Sequence, residues 1–145
     1  LVLAGDPANE RAEGKGNIVG DIFGCPDGIA FDTRGVLWIQ TDAHATQMGQ
    51  KEFANLPVNQ MLACDPRTKQ VRRFLTAPVN CEVTGIAFTP DQRTMFINIQ
   101  HPGGHSSPEE FAAGKFGSGF PDYNGSVPRS ATLVITRDDD GVIGA

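Results

Sequence analysis

The chain has 145 residues and a net charge of −5, and its 17 glycines and 10 prolines mark a turn-rich chain of one domain at most. Its longest apolar runs, Val36 to Ile39 and Leu133 to Ile135, fall far short of the roughly 18 residues a membrane span requires. Lysine and arginine are scattered, with Arg72-Arg73 the one basic pair, so there is no field to hold a nucleic acid backbone.

Apolar residues come in clusters of three to five, rich in Ile, Val, Phe and Trp and bounded by Asp, Pro, Gly and Thr, which predicts strands rather than helices. In chain order the strands are expected near Ile29 to Phe31, Val36 to Gln40, Gln60 to Cys64, Val71 to Leu75, Gly85 to Phe88, Met95 to Ile99 and Thr132 to Thr136, with a last one starting at Val142. Asp32 to Gly35, Asp65 to Lys69 and Thr89 to Arg93 supply the residues of tight turns, so the pairs they join are antiparallel hairpins. A short helix is expected where Ser107 can cap, Pro108 suits the first helical position, and Glu109-Glu110 face the positive end of the dipole.

An internal repeat sets the architecture. Gly28-Ile29-Ala30-Phe31 recurs as Gly85-Ile86-Ala87-Phe88, 57 residues on, and Leu37-Trp38-Ile39 is answered by Met95-Phe96-Ile97 at 58. Leu62 then pairs with Leu133 and Val71 with Val142 at a spacing of 71, so an insertion of about 13 residues falls in the Gly/Pro/Ser-rich segment His101 to Ser130. Four antiparallel strands per repeat of about fifty residues describe a β-propeller blade. The expected fold is therefore all-β: two four-stranded antiparallel blades, 28–75 and 85–145, with the insertion at 101–130 and with 1–27 as the end of a preceding blade and its connection. Two blades cannot close a ring, so the chain reads as a segment of something longer. Its open faces await the remaining blades or self-association, edge to edge or face to face.

In a propeller the residues just before each first strand crowd one mouth of the channel. Asp27 precedes Gly28, and Glu82 precedes Gly85. Converging carboxylates repel unless a cation or a shared proton neutralises them, so both are candidate metal ligands; the other reading makes Asp27 a turn residue and Glu82 a solvated loop acid. Because a hairpin returns the chain to the mouth it left, Asp42, Gln100 and His101 are expected on the same side. Cys25 and Cys81, at similar places before the two blades, could ligate, cross-link or pack, with packing the leading reading, and Cys64 belongs to the core. His101 and His105 are four apart in a loop broken by Pro102 and two glycines, a poor spacing for joint ligation. No Gly-x-Ser-x-Gly, His-Glu-x-x-His or phosphate-loop motif is present.

The combined runs Gly24-Cys25-Pro26-Asp27-Gly28-Ile29-Ala30-Phe31-Asp32, Gly35-Val36-Leu37-Trp38-Ile39-Gln40-Thr41-Asp42, Cys81-Glu82-Val83-Thr84-Gly85 and Asn98-Ile99-Gln100-His101-Pro102-Gly103 resemble the C-terminal part of PhoX-type alkaline phosphatases, over about residues 1–137. The resemblance implies a periplasmic or secreted six-bladed propeller, exported by the twin-arginine route, that hydrolyses small phosphate monoesters with calcium and ferric iron. By position Glu82 and Asp27 match that family's channel-entry acids. It also implies that other ligands come from earlier blades, so this chain alone is expected to be inactive. The alternatives are a calcium-dependent lactonase-like propeller and a non-catalytic binding propeller.

Overall fold

The computed structural model describes residues 2–56 and 58–145. Among these residues eight strands form two sheets: β1 (Val19–Gly20), β2 (Pro26–Phe31), β3 (Leu37–Thr41), β4 (Gln60–Asp65) and β5 (Gln70–Thr76) in the first, and β6 (Glu82–Phe88), β7 (Thr94–Gln100) and β8 (Ala131–Thr136) in the second. The first sheet runs β1-β5-β4-β3-β2 and the second β6-β7-β8. Among the described residues one α-helix, α1 (Pro108–Ala112), lies between β7 and β8; Ser107 caps it as the sequence predicts, and the Glu110 side chain reciprocates by accepting from the Ser107 N–H.

The repeat is visible in the register. Ala30 pairs with Trp38 and Trp38 with Ala63; their counterparts Ala87, Phe96 and Val134 pair in the same way. Both first hairpins break register at the repeated glycine, between Pro26 and Ile29 in one sheet and between Thr84 and Ala87 in the other. At Gly85 the positive φ of +60° favours glycine, and a Cβ would lie 2.4 Å from Asn98 Nδ2, so that side chain would have to shift.

Alternation divides the first sheet into two apolar faces. Ile39, Leu62, Cys64 and Val71 pack against Ile18, Phe23 and the partly buried Val2, Ala4 and Ile22 of the N-terminal segment. On the other face Trp38 and Met61 join Val83, Met95, Ile97 and Ile99 of the second sheet in one core. Trp38 is fully buried, edge-on to Phe74 at 5.0 Å and tilted against Phe88 at 5.8 Å. Its hairpin is organised by Asp32, whose carboxylate accepts from the backbone N–H groups of Arg34 and Val36 and from the Arg34 guanidinium.

Two expectations change. The strand predicted from Val142 does not form, so the second sheet has three strands rather than four among the described residues. After the turn at Asp138 to Gly141 the chain crosses back to the sheet interface instead of running beside β8. Ile143 is buried beside Trp38, donates its N–H to Gln92 O at 2.9 Å and accepts from Arg34 at 2.7 Å. At the other end, where the outer strand of a preceding blade is expected at Leu1 to Leu3, the start of 1–27, Val2-Leu3 forms no strand, and Leu1 lies outside the described residues. The N-terminal segment instead lies against the first sheet and adds β1 to its edge, parallel to β5 through Val19–Gln70 and Gly20–Val71, where an all-antiparallel sheet was expected.

Candidate metal centre

The ends of β3 and β7 and the start of β6 meet at one edge of the sheet interface. The pairing of Glu82 with Gln100 opens the β6–β7 ladder, so the two side chains share a face and Gln100 donates to Glu82 Oε2 at 2.7 Å. His101, one residue past β7, brings its Nε2 to 3.3 Å from the same oxygen. Glu82 is only 7% exposed, and among the described residues no lysine or arginine pairs with it. A buried carboxylate facing only an amide and an imidazole is costly unless a cation reaches it. Asp42, exposed on the loop after β3, completes the group: ligand atoms of Asp42, Glu82 and His101 all lie within 4.8 Å of one another. Two carboxylates and one imidazole suit a hard or borderline cation.

Asn59 holds these elements together. It is 5% exposed; its Oδ1 accepts from Thr41 Oγ1 and from the Ala43 backbone N–H, while its Nδ2 donates to the carbonyls of Ala43 and Cys81. One amide thus ties the loop carrying Asp42 to the residue before Glu82. The Asp42 N–H also donates to Cys25 O at 3.0 Å, and Gly103 N–H to Asn80 O at 2.9 Å. Cys25, Asn80 and His101 all have positive φ, at 45°, 53° and 38°. Such backbone is sparsely populated outside glycine and clusters at functional sites.

Asp42, Glu82, Gln100 and His101, expected on one side, lie together at this edge. Asp27 does not join them: it is an exposed residue of the β2 bulge, outside the three-residue group. Sequence reasoning missed Asn59, whose neighbours carry no motif. It also missed the meeting of all three histidines: His105 lies 4.3 Å from His44 and 6.1 Å from His101 between ring centroids. Burial and the charges of His44 and His101 hold His105 below the usual histidine range, against the opposing pull of Asp42. A cavity of about 120 Å³ lies here, lined in part by Asp42, Asn59, Asn80, His101 and His105.

The cysteines are free thiols. Cys81 is buried, donates to Pro78 O at 3.1 Å, and is pushed up to about 12 by burial and by the charge of Glu82, so it packs as a neutral thiol. Cys64 is fully buried in the first sheet.

The family model for alkaline phosphatase PhoX matches residues 1–103. The chain belongs to the PhoX alkaline phosphatase family. Among solved structures it is similar to Pseudomonas fluorescens PhoX in complex with vanadate, a transition state analogue, at 39% identity and a TM-score of 0.79. That similarity covers 99% of this chain and 24% of the P. fluorescens chain, so the present chain spans about a quarter of its PhoX relative. No curated protein matches it.

Proposed function

We propose that the chain is the C-terminal propeller segment of a secreted or periplasmic, PhoX-like phosphatase acting on small phosphate monoesters, and that Glu82, Asp42 and His101 form part of its metal centre. The observation that carries the reading is the buried Glu82, paired with no lysine or arginine among the described residues, meeting Asp42 and His101 at the strand ends in a chain of the PhoX family. The donor set fits the calcium and ferric iron that the resemblance implies, since both accept carboxylate oxygen and iron also accepts imidazole. Such ions, when bound, supply Lewis-acid polarisation and charge neutralisation at the phosphoryl group.

The chain's own residues set the geometry. Glu82 and Asp42 bring negative charge from two different sheets to one point. Gln100 fixes the rotation of Glu82, and Asn59 holds the two acid-bearing segments at constant spacing. Asp27, one strand away, is proposed as a further acid of the complete ring. The two sheets are read as two blades, and the exposed Ile29 and Phe31 on β2 and Val134 on β8, each 63% exposed, as surfaces that face neighbouring blades of the parent. Lacking those blades, the chain alone is proposed to be inactive. In the full-length parent loaded with calcium and iron, Glu82→Gln is expected to lower phosphate release from a simple aryl phosphate by at least a hundredfold. A parent that releases no phosphate, or a Glu82→Gln variant with unchanged activity, would contradict the reading.

A further inference from the structure

The insertion between β7 and β8 walls a second cavity, of about 330 Å³, lined in part by Asn80, His105, Ser106, Lys115 and Phe116. It shares Asn80 and His105 with the smaller cavity that Asp42 and His101 line, so the two adjoin at those side chains. We propose that this second cavity receives the alcohol portion of the phosphate monoester, and that Phe116 makes the site prefer a planar aromatic alcohol over a small aliphatic one. The inference rests on the phosphatase reading of the metal centre and adds to it a subsite and a preferred class of substrate.

Hydrogen bonds fix the walls. Asn80 Nδ2 donates to Gly117 O at 3.2 Å and Asn80 O accepts from the Gly103 N–H at 2.9 Å, while Ser106 Oγ accepts from the Gly117 N–H at 2.8 Å and donates to Gly103 O at 3.0 Å. A Cβ on Gly117 would lie 2.9 Å from Asn80 Nδ2 and 3.1 Å from Ser106 Oγ, so the absence of a side chain lets the segment come this close. Phe116, the residue before it, is half-buried, and Phe111 of α1 stands edge-on to it at 5.2 Å. The reciprocal cap at Ser107 thus positions the ring that backs Phe116. Lys115 and Glu110 bring opposite charges to the lining, which offset one another, so the aromatic wall sets the preference. A ring laid on Phe116 gains apolar burial and an aromatic pair, together worth about a tenfold preference over a ligand without one. The volume lies at the small end of the range of about 300–1,000 Å³ that small-molecule sites occupy, room for one such group.

The test is competitive inhibition of the full-length parent, loaded with calcium and iron, by phenylphosphonate and by methylphosphonate, beside hydrolysis of phenyl phosphate and methyl phosphate. Phenylphosphonate is expected to bind about tenfold more tightly than methylphosphonate. Phe116→Ala should bring that ratio close to one and, through KM, lower kcat/KM for phenyl phosphate about tenfold more than for methyl phosphate, while Phe116→Tyr keeps both preferences. Equal inhibition of the wild type by the two phosphonates overturns the inference without any variant, and leaves the phosphatase reading standing because phosphate is still released. A folded Phe116→Ala parent that keeps the wild-type ratio also overturns it, and a parent that releases no phosphate from either ester overturns both readings.

Discussion

Replacing Asn59 by alanine removes a side chain that makes four hydrogen bonds, two accepted and two donated, at a position 5% exposed. Thr41 Oγ1 can turn its proton elsewhere, but the Ala43 N–H and the carbonyls of Ala43 and Cys81 lose partners in the interior. At a net worth of about 1 kcal/mol per bond, the three groups left without partners cost about 3 kcal/mol. That is a large share of the 5–15 kcal/mol typical of a folded domain, and at about 3 °C per kcal/mol it lowers the melting temperature by roughly 10 °C. Urea unfolding followed by circular dichroism, with the denaturant slope checked for constancy, measures it. Asn59→Asp should be no milder, since it keeps the acceptor bonds but turns an ionised oxygen towards two carbonyls. A loss below about 1 kcal/mol in Asn59→Ala would refute the argument that one amide joins the two acid-bearing segments.

Ile143→Ala opens a cavity beside Trp38 and should cost about 2–5 kcal/mol in the same unfolding assay; a cost near zero would mean that the C-terminal turn does not seal the sheet interface. Asp32 is penalised by burial, yet Arg34, the Val36 and Arg34 N–H groups and Trp38 Nε1 together hold its pKa below the usual aspartate range. Its contribution to stability is therefore complete above the unfolded-state value of about 3.9 and is lost as pH falls through the lower folded value. Asp32→Asn should be less stable at neutral pH and show a flatter acid limb; an acid limb as steep as the wild type's contradicts this. With Ile29 and Phe31 both exposed, the chain should self-associate with rising concentration in sedimentation, and Ile29→Asp with Phe31→Asp should reduce that; equal behaviour of variant and wild type would remove these side chains from the contact.

The two-sheet architecture was legible because the repeat fixes structure at several levels at once. The spacing of Gly28 and Gly85 marks the two bulges, and Trp38 and Phe96 occupy equivalent rungs. The match of Val71 with Val142 misled, because one apolar residue after a turn serves a plug as well as a strand, and Ile143 uses its N–H on Gln92 rather than on β8. Asp42, Gln100 and His101 could be placed beside Glu82 from hairpin reversal alone. Asp27 could not be separated from them, since the bulge that sets where it lies depends on local register. Asn59 was invisible for a related reason: its role arises from contacts 16 to 22 residues away in sequence, and nothing in its neighbours signals them.

The central claim is that Glu82, Asp42 and His101 make a cation site, and calcium titration of the 145-residue chain by isothermal calorimetry tests it most directly. Saturable binding in the wild type that disappears in a folded Glu82→Gln variant is the predicted result. No binding by the wild type, or the same binding curve in Glu82→Gln, would contradict it.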